Sequence, residues 1–246
     1  MIGVKVAVVS DIHANRQAFE AVLAAAEAAQ ASELWCLGDL VGYGAEPNEC
    51  VELARRHAAL CLAGNHDLAV IGAIPIDEFS RGASVAARWT KEVLTAENLD
   101  YLRGLKPKAQ EGEFGLYHAS PRDPVWEYVL SSLLAELCLD VQQPRIGLIG
   151  HSHVALAFWR RDGQPATGQA QKAGSEIQLD KGEWLINPGS VGQPRDGDPR
   201  AAWLLLDTET MVATYQRTPY DIAAAARAIR NAHLPDSLAE RLEYGQ

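Results

Sequence analysis

The chain has 246 residues, of which 48% are hydrophobic and 22% are charged, and its formal net charge is −10 at pH 7. This length and composition are typical of a globular protein with a sizeable core. The acidic balance argues against binding nucleic acid by charge alone, and no apolar run approaches the ~20 residues of a membrane span. We therefore expect no membrane association and no stable nucleic-acid partner. Because no basic and apolar leader precedes the first predicted strand, we expect a cytoplasmic protein.

The first 160 residues alternate between predicted strands and predicted helices. Lys5–Val9 is a short β-branched run that predicts a strand buried on both faces. Asn15 is a candidate N-cap, and the apolar residues after it recur at helical spacing. Further strands are predicted at 33–37, 59–62, 113–117, 145–149 and 154–160. Further helices are predicted at 47–57, 80–94 and 131–141, with a short helix capped by Thr95.

The remaining third of the chain predicts mostly strands. Asp162 to Ser175 is rich in Gly, Gln and Ala and predicts an exposed loop. Strands are predicted at 176–179, 183–186, 201–207 and 211–216, with a Gly/Pro loop at 187–199. Thr218 and Pro219 are expected to begin a helix, and Ser237 with Glu240 predicts a capping box for a terminal helix. This order predicts an α/β fold, a four-layer α-β-β-α sandwich of two packed mixed sheets flanked by helices, in one domain over residues 1–246.

The four cysteines show no CxxC spacing. They are Cys36, Cys50, Cys61 and Cys138, and two of them lie in strand-like apolar runs. Buried free thiols are therefore predicted, in preference to disulfides or zinc ligands.

Each of the five inner strands predicted in the first 150 residues is followed by a potential metal ligand. These residues are Asp11 with His13, Asp39, Asn65, His118, and His151 with His153. In an open α/β sheet, ligands bind at the carboxyl ends of the strands, so a doubly wound sheet would bring all seven to one edge. Taken alone, Asp11 could start a turn and His13 could be an incidental polar residue. The repetition after five strands, with four of the seven histidines, favours a common site.

Seven oxygen and nitrogen ligands exceed the needs of one tetrahedral ion. They suit two ions with a bridging group, and Asp39 is the natural bridge because a carboxylate has two oxygens. A site without thiolate favours manganese, iron or zinc. Two such ions can clamp a phosphoryl group during in-line attack.

The ordered motifs resemble those of the calcineurin-like metallophosphoesterase superfamily. They are Asp11-x-His13, Gly38-Asp39, Gly64-Asn65-His66-Asp67, His118 and Gly150-His151-x-His153. The resemblance implies a phosphoesterase that hydrolyses phosphodiester or nucleotide substrates by attack of a hydroxide bridging two divalent metal ions. Manganese is favoured, with iron, zinc, nickel or magnesium as alternatives. One ion would take Asp11, His13, Asp39 and His153, and the other Asp39, Asn65, His118 and His151. His66 resembles the histidine that faces the leaving group, and Asp67 the acidic residue that orients it.

Three residues are predicted to contact the substrate. The segment Asn187–Gly192 resembles a loop of the small bacterial and archaeal phosphodiesterase branch, and Arg195 follows it. Arg122 comes shortly after His118, and arginine matches phosphate geometry. Tyr43, just past Asp39, could stack on a base or contact phosphate. The alternatives are solvated arginines in ordinary turns and a half-buried loop aromatic.

Other functions remain open at this stage. Protein serine/threonine phosphatases of the superfamily carry Asp-Arg-Gly after the second motif, where this chain has Val41-Gly42-Tyr43-Gly44. The missing arginine favours small phosphodiesters or nucleotides over phosphoproteins. Hydrolysis of diadenosine tetraphosphate or of phosphomonoesters is an alternative. A non-catalytic scaffold, like the retromer subunit of this fold, is another, although every ligand position is present here. The oligomeric state is left open.

Overall fold

A computed structural model describes residues 4–161 and 163–246. Within these residues the chain forms twelve strands in two six-stranded sheets, together with eight α-helices. The strands are β1 (Lys5–Val9), β2 (Glu33–Cys36), β3 (Leu60–Cys61), β4 (Lys108–Glu111), β5 (Phe114–Tyr117), β6 (Ile146–Leu148), β7 (Ala155–Arg160), β8 (Thr167–Ala170), β9 (Glu176–Gln178), β10 (Glu183–Pro188), β11 (Ala201–Asp207) and β12 (Val212–Thr218). The helices are α1 (Arg16–Ala28), α2 (Pro47–His57), α3 (Asn65–Val70), α4 (Arg81–Val93), α5 (Ala96–Gly104), α6 (Ser132–Leu139), α7 (Ile222–Asn231) and α8 (Asp236–Tyr244).

Both sheets are mixed. The first sheet has the strand order β3-β2-β1-β11-β12-β9, in which β1, β2 and β3 run parallel. The second sheet has the order β4-β5-β6-β10-β7-β8, in which β5, β6 and β10 run parallel. The remaining neighbours in each sheet pair antiparallel.

The alternation of side chains along β1 shows how the layers stack. Val6 and Val8 pack in a core that includes Leu116 and Leu148 of the second sheet. The intervening residues of β1 face the other way, into a core that contains Phe19 of α1. A third core joins the outer face of the second sheet to α6. These layers confirm the predicted α-β-β-α sandwich.

Several elements differ from the predictions. The predicted loop beginning at Asp162, a residue outside the described ranges, contains β8. This strand pairs with β7 although it carries no large apolar side chain. The exposed strand β4 and the short helix α3 were not predicted. Their few buried apolar positions give no clear period, so pairing and tertiary contacts decide their structure.

The helix caps were predicted with mixed success. Asn15 caps α1, as predicted, by accepting a hydrogen bond from the backbone N–H of Ala18 at 3.1 Å. The prediction for Thr218 was wrong, because this residue ends β12, and Asp221 caps α7 instead. Ser237 is not a cap either, since α8 already begins at Asp236 without a side-chain cap.

Two further sequence expectations can be compared with the structure. All four cysteines carry free thiols, as predicted, but only Cys36, Cys50 and Cys138 are buried, whereas Cys61 is half-buried. Across residues 4–161 and 163–246, no helix combines the length and apolar character needed to cross a bilayer.

The strands that precede the potential metal ligands divide between the two sheets. β1, β2 and β3 belong to the first sheet, whereas β5 and β6 belong to the second. The expectation of a single sheet edge was therefore wrong. Instead, the carboxyl ends of the strands meet at one end of the sandwich, because the two sheets pack face to face.

Candidate metal centre

All seven potential ligands lie buried together at this end of the sandwich, and each residue is at most 3% exposed. The potential ligand atoms form three overlapping groups, and within each group all the atoms lie within 4.8 Å of one another. These groups are Asp11 with His13 and His153, His13 with Asp39 and His66, and Asp39 with His118 and His151. The predicted residues are thus brought together, and Asp39 belongs to two of the groups.

Asp39 lies between the two halves of the cluster. Its Oδ2 atom is 3.5 Å from Nε2 of His13 and 3.5 Å from Nε2 of His118. This oxygen is buried and accepts no hydrogen bond, whereas Oδ1 accepts one from the backbone N–H of His66 at 2.9 Å. A buried carboxylate oxygen without a partner is costly. A cation on each side of Oδ2 would satisfy it, so the residues present fit a bridged pair of metal ions.

The first half of the cluster places two ring nitrogens against each other. Nε2 of His13 lies 3.0 Å from Nε2 of His153. The Nδ1 atoms of the two rings lie 3.1 Å and 2.7 Å from the backbone carbonyls of Val41 and Gln193. A carbonyl only accepts, so each Nδ1 carries the proton and each Nε2 presents a lone pair. Two facing lone pairs repel, and a cation between them removes the conflict.

Asp11 completes the first half. Its Oδ1 lies 3.4 Å from Nε2 of His153 and 3.9 Å from Nε2 of His13. The backbone N–H of His151 donates to the same carboxylate, at 3.0 Å from Oδ2. A carboxylate held this way offers its oxygen to an ion at a fixed orientation.

The second half repeats this arrangement with different residues. Nδ1 of His118 donates to the carbonyl of Leu37 at 2.9 Å, so its Nε2 lone pair faces the centre. That Nε2 lies 3.1 Å from Oδ1 of Asn65. Nε2 of His151 is buried and has no hydrogen-bond partner. An oxygen and two imidazole nitrogens, with Asp39 as the fourth group, form a donor set that suits a divalent transition metal.

Five of the potential ligands have left-handed backbone conformations, which set the direction of their side chains. Asp11, His13, Asp39, His151 and His153 have φ between 50° and 63°. Non-glycine residues adopt this region rarely, and it clusters at functional sites. The turns are held by backbone hydrogen bonds, including 3.0 Å from Asp11 N to Gly38 O and 2.9 Å from His13 N to Asp39 O. At these five residues the chain turns sharply after β1, β2 and β6, and their side chains are directed toward the centre.

Gly64 allows the two loops around Asp39 to approach closely. A Cβ atom at residue 64 would lie 2.0 Å from Oδ1 of Asp39. Any side chain at this position would displace the carboxylate that the cluster shares, which explains why glycine precedes Asn65.

Burial dominates the electrostatics of the cluster. It raises the pKa of Asp11 to about 7 and raises the pKa of Asp39 well above its usual value, with a further contribution from Asp67. Burial also lowers the pKa of His13, His151 and His153 well below the usual histidine value. The metal-free cluster therefore favours neutral side chains. Divalent ions would reverse this preference for the carboxylates.

Asp67 does not make the predicted contact with His66. Its carboxylate instead accepts hydrogen bonds from three backbone N–H groups, those of Gly64 at 2.8 Å, Val41 at 3.2 Å and Leu40 at 3.3 Å. Nδ1 of His66 is buried without a partner. Asp67 thus holds two ligand-bearing loops together, because a buried carboxylate aligns several amide groups at once.

His66 sits between the centre and a group of aromatic side chains. Its ring centroid lies 4.8 Å from that of His13, 4.5 Å from Tyr43 and 4.7 Å from Phe79. Burial, followed by the charge of Arg195, lowers its pKa well below the usual value. The metal-free protein therefore holds a neutral imidazole at residue 66.

Two of the three predicted substrate contacts lie at the centre. The ring of Tyr43 is 4.6 Å from that of His13, and the guanidinium of Arg195 lies 5.6 Å from the Tyr43 ring centroid. Arg122 differs, because its guanidinium pairs with Glu127 at 3.2 Å. In the described part of the chain, no hydrogen bond or ion pair joins Arg122 to the potential metal ligands. Glu127 lies five residues after Arg122 in the loop between β5 and α6, and the sequence gave no signal for this pairing.

The sequence analysis missed four residues near the centre, which are Phe79, Trp126, Tyr128 and Arg241. The ring of Tyr128 stacks on His151 at 4.0 Å, and Trp126 contacts Phe79 at 5.4 Å. Arg241, on α8, reaches Gln193 beside the centre. Trp126 and Tyr128 follow the His118 loop closely in sequence, which was an available signal. Arg241 is far from every motif, and only the tertiary structure brings it here.

Comparisons with known proteins agree with this geometry. The calcineurin-like phosphoesterase superfamily domain matches residues 4–211. An uncharacterized protein of Methanocaldococcus jannaschii is 37% identical over 252 residues, with 100% of both chains covered. The crystal structure of a metallophosphoesterase from Sphaerobacter thermophilus is 37% identical and superposes with a TM-score of 0.89, covering 99% of this chain and 100% of that one.

A hypothetical protein from Pyrococcus horikoshii shares the fold at 20% identity, with a TM-score of 0.79 and 98% of each chain covered. The family match covers most of the chain and contains all seven potential ligands, which lie between residues 11 and 153. The chain therefore belongs to the calcineurin-like phosphoesterase superfamily, a group of phosphoester hydrolases.

Proposed function

We propose that this protein is a dinuclear-metal-dependent phosphoesterase that hydrolyses phosphodiester or nucleotide substrates. The observation that carries the proposal is Oδ2 of Asp39, which is buried, accepts no hydrogen bond and lies 3.5 Å from a histidine nitrogen on either side. A carboxylate oxygen shared in this way suits a bridge between two cations. Bound divalent ions would supply Lewis-acid polarisation of the phosphoryl group and activation of a water molecule.

The proposed ligands follow from the two halves of the cluster. Asp39 belongs to both sets. One set adds Asp11, His13 and His153, and the other adds Asn65, His118 and His151. The cluster has no thiolate, and its oxygen and imidazole donors support manganese, with iron, zinc, nickel or magnesium as alternatives.

The residues around the ligands have separate proposed roles. His66, whose ring packs between His13 and Phe79, is positioned to face the leaving group and to donate a hydrogen bond to it. Arg195 supplies positive charge for a phosphate oxygen. Asp67 acts through the loops it joins and is a positioning residue. Arg122 is left without a role in this proposal, because Glu127 already pairs with it.

Aromatic side chains near the centre favour the proposal that nucleotides are among the substrates. Phe79 and Trp126 are half-buried beside His66, and Tyr128 covers His151 while keeping 45% of its surface exposed. Exposed aromatic faces next to a phosphate site can stack on nucleobases.

Two other expectations from the sequence stay predictions. They are a single domain over residues 1–246 and a cytoplasmic location.

The proposal is tested with metal-free protein reconstituted with Mn²⁺ and assayed on bis-p-nitrophenyl phosphate. We expect hydrolysis that depends on added metal. Asp39→Asn should lose more than about 100-fold in activity, since even outer-shell partners of metal ligands contribute 10–100-fold. The matched control is Asp100→Asn, an exposed carboxylate on α5 that should keep full activity. A wild-type protein that takes up no metal and hydrolyses nothing would overturn the proposal and favour a scaffold.

A further inference from the structure

The C-terminal helices lie beyond residue 211, where the family match ends, yet they reach the candidate metal centre. Buried apolar residues of α7 and α8 form a core against which Tyr43 packs. The end of α8 is joined to the loop after β10, because the backbone N–H of Gly197 donates to the carbonyl of Gly245 at 3.0 Å. This loop carries Gln193 and Arg195, so α8 holds a fixed position beside both residues.

Two arginines converge on one neutral acceptor at this position. Nη2 of Arg195 lies 2.9 Å, and Nη1 of Arg241 lies 3.2 Å, from Oε1 of Gln193. Nε of Arg195 is buried and has no hydrogen-bond partner. Among the ion pairs formed within residues 4–161 and 163–246, none gives either arginine a carboxylate partner. Within the described residues, most of the ten N–H donors of the two guanidinium groups therefore have no protein hydrogen-bond partner and are available to a ligand or to water.

The arrangement is electrostatically unfavourable unless an anion joins it. Partial burial, followed by the charge of Arg195, lowers the pKa of Arg241. Like charges held together in a partly desolvated site repel, and an anion between them reverses the sign of that interaction. Planar guanidinium groups bind phosphate oxygens in pairs, which makes a phosphate group the matching ligand.

The two arginines lie beside the metal ligands rather than among them. The backbone N–H of Arg195 donates to the carbonyl of His153 at 3.1 Å, and the Arg195 guanidinium lies over Tyr43. Arg241 comes from α8 and contacts the same Oε1 atom of Gln193 as Arg195 does. A phosphate group bound by both arginines would thus be next to a phosphoryl group at the metal centre.

We propose that Arg195 and Arg241 form a second phosphate subsite, so that the preferred substrates carry a diphosphate or longer polyphosphate linkage. The proposal rests on the proposed function for the identity of the reacting phosphoryl group. It assigns Arg241 as a specificity-determining residue that lies outside the matched family domain.

The test compares two inhibitors that differ by one phosphonate group, methylphosphonate and methylenediphosphonate. Each is measured on Mn²⁺-loaded protein, by inhibition of bis-p-nitrophenyl phosphate hydrolysis and by isothermal titration calorimetry. In the wild-type protein we expect the bisphosphonate to bind at least about tenfold tighter, as one charge-assisted contact would give. In Arg241→Gln this preference should fall to about twofold or less. Arg227→Gln, an exposed arginine on α7, removes the same charge and should keep the full preference.

Each outcome decides between the two proposals. A preference that is equal in Arg241→Gln and Arg227→Gln overturns the subsite, because the metal ions alone would then explain it. An equal loss of affinity for both inhibitors also overturns it, because Arg241 would then contact the reacting phosphate. If the protein hydrolyses nothing but calorimetry still shows tighter binding of methylenediphosphonate that depends on Arg241, the subsite is supported and the proposed function is not. If Arg241→Gln does not fold, Arg241→Lys keeps the charge but not the planar fork, and an unchanged preference in it counts against the subsite.

Discussion

The Nε2 atoms of His13 and His153 lie 3.0 Å apart, although both rings carry their proton on Nδ1, where a backbone carbonyl accepts it. Neither nitrogen can donate to the other in this state. Residues 140 positions apart in sequence are thus held in a contact that is repulsive unless a cation lies between them. The fold keeps this contact because each ring is fixed by its own loop.

Metal addition is therefore expected to raise the thermal stability of the metal-free protein. Mn²⁺ at about 100 times its Kd adds about 2.7 kcal/mol, or roughly 5–10 °C for a chain of this size. His153→Ala removes one ligand and should reduce this increase to less than half, as measured by scanning fluorimetry over a Mn²⁺ titration. His57→Ala, an exposed position on α2, is the control and should behave as wild type. An equal increase in both variants would show that the ion binds elsewhere.

Metal affinity is expected to depend on pH through Asp11 rather than through His13, His151 and His153. Burial raises the pKa of Asp11 to about 7 in the metal-free protein, whereas the pKa of each of His13, His151 and His153 is lowered, so these rings are already neutral. Below about pH 7, an ion must displace the Asp11 proton. The affinity for Mn²⁺ should therefore fall as pH falls, by about tenfold per pH unit for one coupled proton.

Calorimetry in two buffers of different ionisation enthalpy measures this proton release directly at pH 6.5. Asp11→Asn has no proton to release at residue 11, so it should bind more weakly and release fewer protons. A wild-type binding enthalpy that is the same in both buffers would contradict the prediction.

Asp67→Asn is expected to destabilise the protein. The amide retains one oxygen, but its NH₂ group would face backbone N–H groups that now donate to the carboxylate. The loss should be about 2–3 kcal/mol in the free energy of unfolding, measured by urea denaturation of metal-free protein. Asp100→Asn, whose carboxylate is exposed, again serves as the control. Unchanged stability together with an altered NMR titration of His66 would instead support the role inferred from the sequence.

The sequence identifies the residues that lie together in the cluster, because they follow the ends of predicted strands. A β-branched run such as Lys5–Val9 predicts a strand, and the polar residues that follow have no other structural reason to recur after five strands. The division of these strands between two sheets could not be predicted, because strand pairing depends on contacts such as that of β1 with β11, some 200 residues later.

Side-chain partners outside the motifs were predicted less well. The expected contact of Asp67 with His66 is not made, because backbone amides of its own loop and of the loop after β2 donate to the carboxylate. Arg122 looked like a phosphate ligand, but a local glutamate pairs with it. Arg241 carries no local signal, since its position depends on how α8 packs against the rest of the chain. The contacts of Asp67 with the loop after β2 and of Arg241 with Gln193 depend on tertiary packing, which residue spacing does not encode, whereas the Arg122 pair is local.

The division of the ligands between the sheets has a mechanical consequence. Asp11, His13, Asp39 and Asn65 follow strands of one sheet, and His118, His151 and His153 follow strands of the other. An ion held by Asp11 and His153 would therefore act as a non-covalent cross-link at one end of the sandwich. The apolar interior between the sheets in turn sets the spacing of the ligands. Repacking that interior, far from any polar group, would alter which metal radius the protein accepts.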